Sequence, residues 1–322
     1  MLELRISSQE QNLKLLSFVK KTLKMVPLSL IYRLFREKEI KVNGRPQKEE
    51  FVLTAGDVVR IFITENSLET LKNKTKEIKP QPFPYEIIYE DQNILIVNKP
   101  KGILVHGVMK ENMYTLQQAV INYLVYQNEY QPDNSVFVPA PAHRLDFNTT
   151  GLVIFGKNTE ALQTLFEIFK AHNLITKTYL ALVVGKVSQD GTIKAPLYKN
   201  NETARVMVSE KLGKPATTIY HVEERFKETS LLKVTILTGR THQIRVHLEH
   251  LQHPIVGDDK YGAFNVNHHF KKLYNVNSQM LHAHIITLGQ LPGVLGYLSQ
   301  RQFVAPLLPD FQKLIMTLRK EK

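Results

Sequence analysis

Apolar residues recur every three or four positions in two stretches near the N-terminus. Leu13, Leu16, Phe18 and Leu23 mark the first, and Leu28, Ile31, Leu34 and Phe35 the second. That spacing puts each set on one face of a helix. The period then drops to two. Ile40 and Val42 alternate with Lys41, Asn43-Gly44 and Gly56-Asp57 supply turns, and Val59, Ile61 and Ile63 alternate again. Residues 1–65 are therefore predicted to be a small α/β module, two helices followed by a strand pair. Residues 66–84 break the pattern: four lysines and Pro80, Pro82 and Pro84 mark a linker that cannot form a core. From Tyr85 the apolar runs resume, at Asn93–Val97, Leu152–Phe155, Tyr179–Val184, Ile219–Val222, Leu231–Leu237 and Leu281–Leu288. Helical spacing appears at Leu162, Leu165, Phe166 and Phe169, and again through Ile244, His247, Leu248 and Leu251. Strands outnumber helices and are often joined by turns. Residues 85–322 are accordingly predicted as an α+β domain around a largely antiparallel mixed sheet.

Composition changes this picture in three ways. The formal net charge is +12, which favours a polyanionic partner, because each neutralised phosphate releases counterions. There is no Cys, which removes disulfides, thiolate zinc sites and thiol catalysis. No apolar run reaches the length of a membrane span, and the N-terminus lacks a secretory pattern, so a cytoplasmic protein with no membrane partner is expected.

Candidate chemistry begins with Pro141-Ala142-His143-Arg144-Leu145-Asp146-Phe147-Asn148-Thr149-Thr150-Gly151. A lone Asp in a loop is ordinarily a solvated charge or a cap. Here three further motifs accompany it. They are Asn98-Lys99-Pro100-Lys101-Gly102 with Val105-His106, then Lys177-Thr178-Tyr179-Leu180-Ala181 with Gly185, and Gly239-Arg240-Thr241-His242-Gln243-Ile244-Arg245-Val246-His247. The ordered set resembles the RluA-like family of RNA pseudouridine synthases. The stretch Ser29–Ile61, with its Val42-Asn43-Gly44 turn and Ala55-Gly56-Asp57-Val58-Val59, resembles the small RNA-binding module first named from ribosomal protein S-four. Together with Val26–Leu34, the combination looks most like the large-subunit ribosomal RNA enzymes of the RluC/RluD type.

The resemblance implies an isomerase that turns uridine into pseudouridine in RNA, most plainly in large-subunit (23S) ribosomal RNA. The base is detached from ribose, rotated, and rejoined through carbon five. Nothing is oxidised and no group is added, so no cofactor and no metal are expected. Asp146 is carried over as the nucleophile. Tyr179 is carried over as general base or proton shuttle, and Arg240 as the cation paired with Asp146. Arg144 is expected to fill the gap left by the flipped base. His143 is expected as a substrate contact or loop hydrogen-bonder, and Ile244 as an apolar wall of the uracil pocket. Lys20, Lys24, Arg33, Arg36 and Lys41 are expected to meet RNA phosphates, in a monomer.

The same residues admit other readings. A metal hydrolase would draw on the 12 His, but no His-Glu-x-x-His is present. A non-catalytic RNA chaperone would be expected to lack Asp146 or Tyr179, and both are present; a non-catalytic RNA-binding ribosome-assembly factor stands as the alternative, which a catalytically dead variant would separate. Phe147-Asn148-Thr149-Thr150 and Gly107 depart from the family pattern without removing a chemical group.

Overall fold

The computed structural model describes residues 1–322 except 9, 24, 25, 27, 63–77, 108–113, 133–136, 172 and 201, together with the side chains of 28 and 29. Lys24 and most of the linker therefore lie outside the described residues. The chain forms two compact units, residues 1–83 with 118–140 and 157–160, and residues 84–117 with 141–156 and 161–322.

In the first unit, β1 (Leu2–Arg5) precedes helices α1 (Leu15–Thr22) and α2 (Leu28–Arg36). Strands β2 (Ile40–Val42), β3 (Arg45–Pro46) and β4 (Val58–Ile61) follow. The four strands form one sheet in the order β1-β4-β2-β3. The sequence reading missed β1, whose four residues alternate polar and apolar but carry no turn signal. Phe18, Val19, Leu23, Ile31 and Leu34 pack on Ile40, Val42, Val59 and Ile61, so the helical and alternating faces close on each other. Asn43 and Gly44 both have positive φ, 50° and 80°, as a two-residue hairpin turn requires. Asn43 also donates to Asp57 at 2.8 Å and accepts from the Val58 N–H, tying the two turns together. Of the expected phosphate contacts, Arg33 and Arg36 are exposed on α2. Lys20 lies over the Tyr32 ring and Lys41 over the Phe62 ring. The helix Leu116–Tyr126 (α3) falls mostly in this unit.

The second unit carries β5 (Glu86–Glu90), β6 (Ile94–Lys99), β7 (Thr150–Gly156) and α4 (Thr159–Ala171), the last mostly here. Then come β8 (Ile175–Val184), β9 (Gly191–Lys194), β10 (Leu197–Lys199), β11 (Val206–Val208), β12 (Thr217–Arg225) and β13 (Thr229–Ile236). Helices α5 (Gln243–His250) and α6 (Phe264–Tyr274), strands β14 (Leu281–Leu288) and β15 (Gln302–Val304), and α7 (Pro309–Lys320) complete it. The strand order is β9-β12-β13-β8-β14-β7-β6-β5, with β15 on β14. Only the β14–β7 pairing in this path is parallel. The domain is thus α+β with a largely antiparallel mixed sheet. The short strands β9, β10, β11 and β15 and helices α6 and α7 were not read from the sequence. Three or four residues are too few to show a period, and α6 opens on an exposed Phe264.

Register places the chemistry. Tyr179 on β8 lies opposite Val234 on one side and Ala283 on the other, and Ala283 in turn faces Gly151 on β7. The loop carrying Asp146 runs into β7, so the same cross-strand row brings it toward Tyr179. The row closes because residue 151 is Gly: its φ is +107°, and a Cβ would stand 2.2 Å from the Ala283 carbonyl oxygen. Gly151→Ala is expected to destabilise the protein by about 3 kcal/mol or more through backbone strain and collision. Denaturant titration would measure it, and a midpoint equal to the wild type would contradict the packing described.

Candidate active site

A cleft of about 340 Å³ opens where the Asp146 loop, β8 and the start of α5 meet. That is within the usual range for small-ligand pockets, roughly 300–1,000 Å³. Asp146, Tyr179, Arg144, His143, Ile244 and Arg240 all line it. The sequence reading therefore named residues from three separate segments that the fold brings to one place.

The Asp146 loop is held from below. Lys99, fully buried at the end of β6, donates to the carbonyls of Pro100, Phe147 and Thr149 at 2.9, 2.9 and 2.8 Å. An ammonium has three hydrogens to give and here meets three acceptors. Burial pulls Lys99 down to about 7, with the Asp146 charge working against the shift. Gln279 adds a bond to the Thr149 hydroxyl at 2.6 Å. These contacts explain the Asn-Lys-Pro run, whose role was not legible in sequence: its lysine fixes backbone atoms one to three residues after Asp146.

The cation paired with Asp146 is Arg245, not Arg240. Arg245 Nη1 donates to Asp146 Oδ2 at 3.0 Å. Its Nε and Nη2 grip both oxygens of Asp258 at 2.6 and 2.8 Å. The Asp258 side chain is fully buried, and the guanidinium lies 5.0 Å over the Tyr261 ring. Burial alone would lower Arg245, but the Asp258 bonds and charge, joined by Asp146, outweigh it and raise the pKa. Arg240 has other partners. The Gln243 side chain accepts the Arg240 N–H at 3.0 Å and the Thr238 hydroxyl at 2.8 Å, and donates to the Thr217 carbonyl and Thr218 hydroxyl. The Arg240 side chain lies exposed at the edge of the cleft, where Nε donates to the Pro215 carbonyl at 3.2 Å. The signal for Arg245 was in the sequence. It stands three residues before Leu248 on a helix face that is buried throughout, and a cation there needs an acid such as Asp258.

The remaining side chains differ in what they are free to do. Tyr179 is 7% exposed, and burial, then the Asp146 charge, push its phenol up from the ordinary value. Arg240 does not supply the neighbouring charge expected of it. Tyr179 is thus a neutral phenol in this site. His143 stacks on Phe169 at 4.6 Å and accepts the Ile154 N–H at 3.2 Å. Burial, then the charge of Lys177, holds it neutral at about 3, so it braces the cleft wall. Ile244 is buried at the cleft floor, and Arg144 is exposed at its rim. Lys177, not singled out as a functional residue from sequence, also lines the cleft, with burial lowering its pKa. Among the described residues no group of three or more His, Asp or Glu is placed to hold a metal ion. No helix among them is long and apolar enough to cross a membrane.

Comparison of the whole chain with known proteins identifies its family. The model for RNA pseudouridylate synthase matches residues 93–250. A ribosomal large subunit pseudouridine synthase C from Pasteurella multocida is 36% identical over 99% of this chain and 94% of its own. An RNA pseudouridine synthase of Bacillus subtilis, YlyB, is 34% identical over 88% of this chain and 87% of its own. The structure of human RNA pseudouridylate synthase domain containing 4 shares the fold, with a TM-score of 0.57 and 23% identity over 72% of this chain and 92% of that one. The chain belongs to the RNA pseudouridine synthases. It is an isomerase that converts uridine to pseudouridine in RNA.

Arg245→Met is expected to cost about 3–5 kcal/mol of stability, because it leaves Asp258 buried without its cation. Arg240→Met should stay within roughly 0.5 kcal/mol of wild type, since it removes one exposed contact. Urea denaturation of both variants would show it. The opposite ranking would return the clamp to Arg240.

Proposed function

We propose that this enzyme modifies large-subunit ribosomal RNA, acting as a cytoplasmic monomer, with Asp146 as its nucleophile. The observation that carries the chemical assignment is the Arg245 bond to one oxygen of Asp146 at the mouth of a uridine-sized cleft. The names of the relatives above support the substrate. The basic first unit supports a long RNA partner: Lys20, Arg33, Arg36 and Lys41 can meet phosphates outside the cleft, in the manner of an S-four-type module. The constellation of Asp146, Arg245 and Tyr179 has no use in a purely structural assembly factor.

The chemistry follows from the side chains. Asp146, held by the Arg245 guanidinium, joins the sugar carbon as the uracil nitrogen leaves. The base turns within a cleft floored by Ile244, and carbon five bonds to the sugar as the carboxylate is released. Carbon five must then lose a proton and the freed ring nitrogen must hold one. Tyr179 serves both ends, first giving its phenol proton to the freed ring nitrogen and then recovering one from carbon five, so its raised pKa fits a shuttle better than a standing phenolate base. No electron is transferred and no group is added, so the sequence of steps calls for no cofactor. Arg144, exposed at the rim, takes the space of the flipped uridine and offsets part of an unstacking cost of about a few kcal/mol.

Asp146→Asn is expected to abolish tritium release from carbon-five-labelled uridine RNA while RNA affinity stays within about twofold, since no cationic contact is removed. Near-wild-type release would overturn the nucleophile assignment. Tyr179→Phe should leave product formation at background, and an unchanged rate would make Tyr179 structural. Pseudouridine mapping in cells with and without the gene should show sites lost from 23S RNA. An unaltered 23S map with sites lost from another RNA would overturn the substrate.

Arg144→Ala should slow single-turnover conversion of a structured RNA at least about tenfold more than that of a flexible strand with the same uridine already unstacked. Equal slowing of both would place Arg144 at the chemical step.

A further inference from the structure

Next to Asp146 stands a histidine that the reaction as described does not use. His242 precedes α5 with a left-handed backbone, φ 53° and ψ 20°. This conformation is uncommon for a residue with a side chain and is held by its surroundings. The imidazole is mostly buried, and both ring nitrogens face named partners. Nδ1 lies 2.9 Å from the Tyr261 hydroxyl, and Nε2 lies 3.8 Å from Asp146 Oδ2.

The tautomer follows from the hydrogen bonds. Tyr261 is itself buried, and its hydroxyl oxygen accepts the Val206 N–H at 3.0 Å. Among the described residues His242 Nδ1 is the one acceptor beside the Tyr261 hydroxyl proton, so we assign that proton to the bond with Nδ1. With Nδ1 accepting, the ring proton sits on Nε2, on the side of Asp146. The Tyr261 ring cannot drift, because Arg205, Arg245 and Lys260 lie over it at 5.2, 5.0 and 5.9 Å. Burial lowers the His242 pKa, Asp146 and Asp258 oppose that, and Arg245 and Lys260 add to it; the net shift is downward, in line with a neutral ring.

The two groups that approach Asp146 converge on one atom. Arg245 Nη1 and His242 Nε2 each come closest to Oδ2, at 3.0 and 3.8 Å, and among the described residues the hydrogen bond from Arg245 goes to Oδ2 and none from either group goes to Oδ1. We propose that His242, fixed by the Tyr261 hydroxyl, is a positioning residue for the nucleophile. It and Arg245 hold Oδ2 of Asp146 from two directions, so that Oδ1 is the oxygen that attacks the sugar. At 3.8 Å the His242 contact is longer than a hydrogen bond and acts as a directed N–H dipole toward the carboxylate. The inference rests on Asp146 being the nucleophile.

The test uses the full-length protein, a short uridine-containing stem-loop RNA, single-turnover rates and RNA dissociation constants. Asn tolerates a left-handed backbone and can still meet Tyr261, but its side chain ends before it reaches Asp146. Gln can place an amide N–H near the position of Nε2. His242→Asn is expected to lower the single-turnover rate about tenfold or more with affinity unchanged, as misplacement of a reacting group does. His242→Gln should recover a measurable part of that loss. Tyr261→Phe should slow the wild type but add nothing to His242→Asn, because both break the same chain of bonds. A His242→Asn rate within about twofold of wild type, a loss confined to affinity, or Gln no better than Asn would each overturn the proposal. Asp146→Asn, run alongside, separates the two readings. If it is inactive while His242→Asn is at full rate, only the His242 inference fails. If it is active, the nucleophile assignment fails with it.

Discussion

The guanidinium of Arg245 is the constraint on which the active site depends. It is buried between two carboxylates and satisfies three oxygens with three N–H groups. A buried ion pair contributes little net stability against an apolar alternative, because desolvation offsets the attraction. What it provides here is placement. Asp258 takes the guanidinium bidentately and fixes its plane, leaving one N–H directed at Asp146. Asp258 is in turn held by the backbone N–H groups of Lys260 and Tyr261 at 3.0 Å each. The nucleophile is thereby tied to a turn more than a hundred residues further along the chain.

A second support acts on the backbone of the same loop. Lys99 ties three carbonyls around Phe147 and Thr149, while Gly151 lets β7 run against β14 without a side chain between them. Side chain and backbone of the nucleophile are thus fixed by separate elements, one on α5 and one on β6. This division suits an enzyme whose substrate must turn over inside the site. The carboxylate has to meet the same sugar carbon before and after the base rotates, so it gains from being held while the base is not.

Much of this was legible in the chain. Alternating runs located the central strands, and three of the four motifs named Asp146, Tyr179, Arg144 and Ile244, which the fold gathers into one cleft. Arg240 and Arg245 were the failure. Both stand in one motif; the spacing to Leu248 puts Arg245 on the buried helix face, but it names neither the acid that Arg245 meets nor the place of Arg240. The Gln243 side chain knots the turn, and such side-chain-to-backbone bonds leave no periodic trace. The same holds for Lys99, whose partners are carbonyls and therefore have no residue signature. His242 was noted only as one of several histidines. Its meaning comes from Tyr261, nineteen residues on, through a bond that exists only once α5 and the turn at Asp258 are packed. Local propensity located the elements, whereas these contacts depend on tertiary geometry.

The central claim is that Asp258, which does not contact Asp146, sets the geometry of the nucleophile through Arg245. Single-turnover pseudouridine formation by Asp258→Asn, on a saturating stem-loop RNA, tests it most directly. The account predicts a rate reduced at least about tenfold, with RNA affinity and the product unchanged, because the clamp loses its orienting charge while the cleft keeps every RNA-facing group. A folded Asp258→Asn protein that forms pseudouridine at the wild-type rate would contradict it.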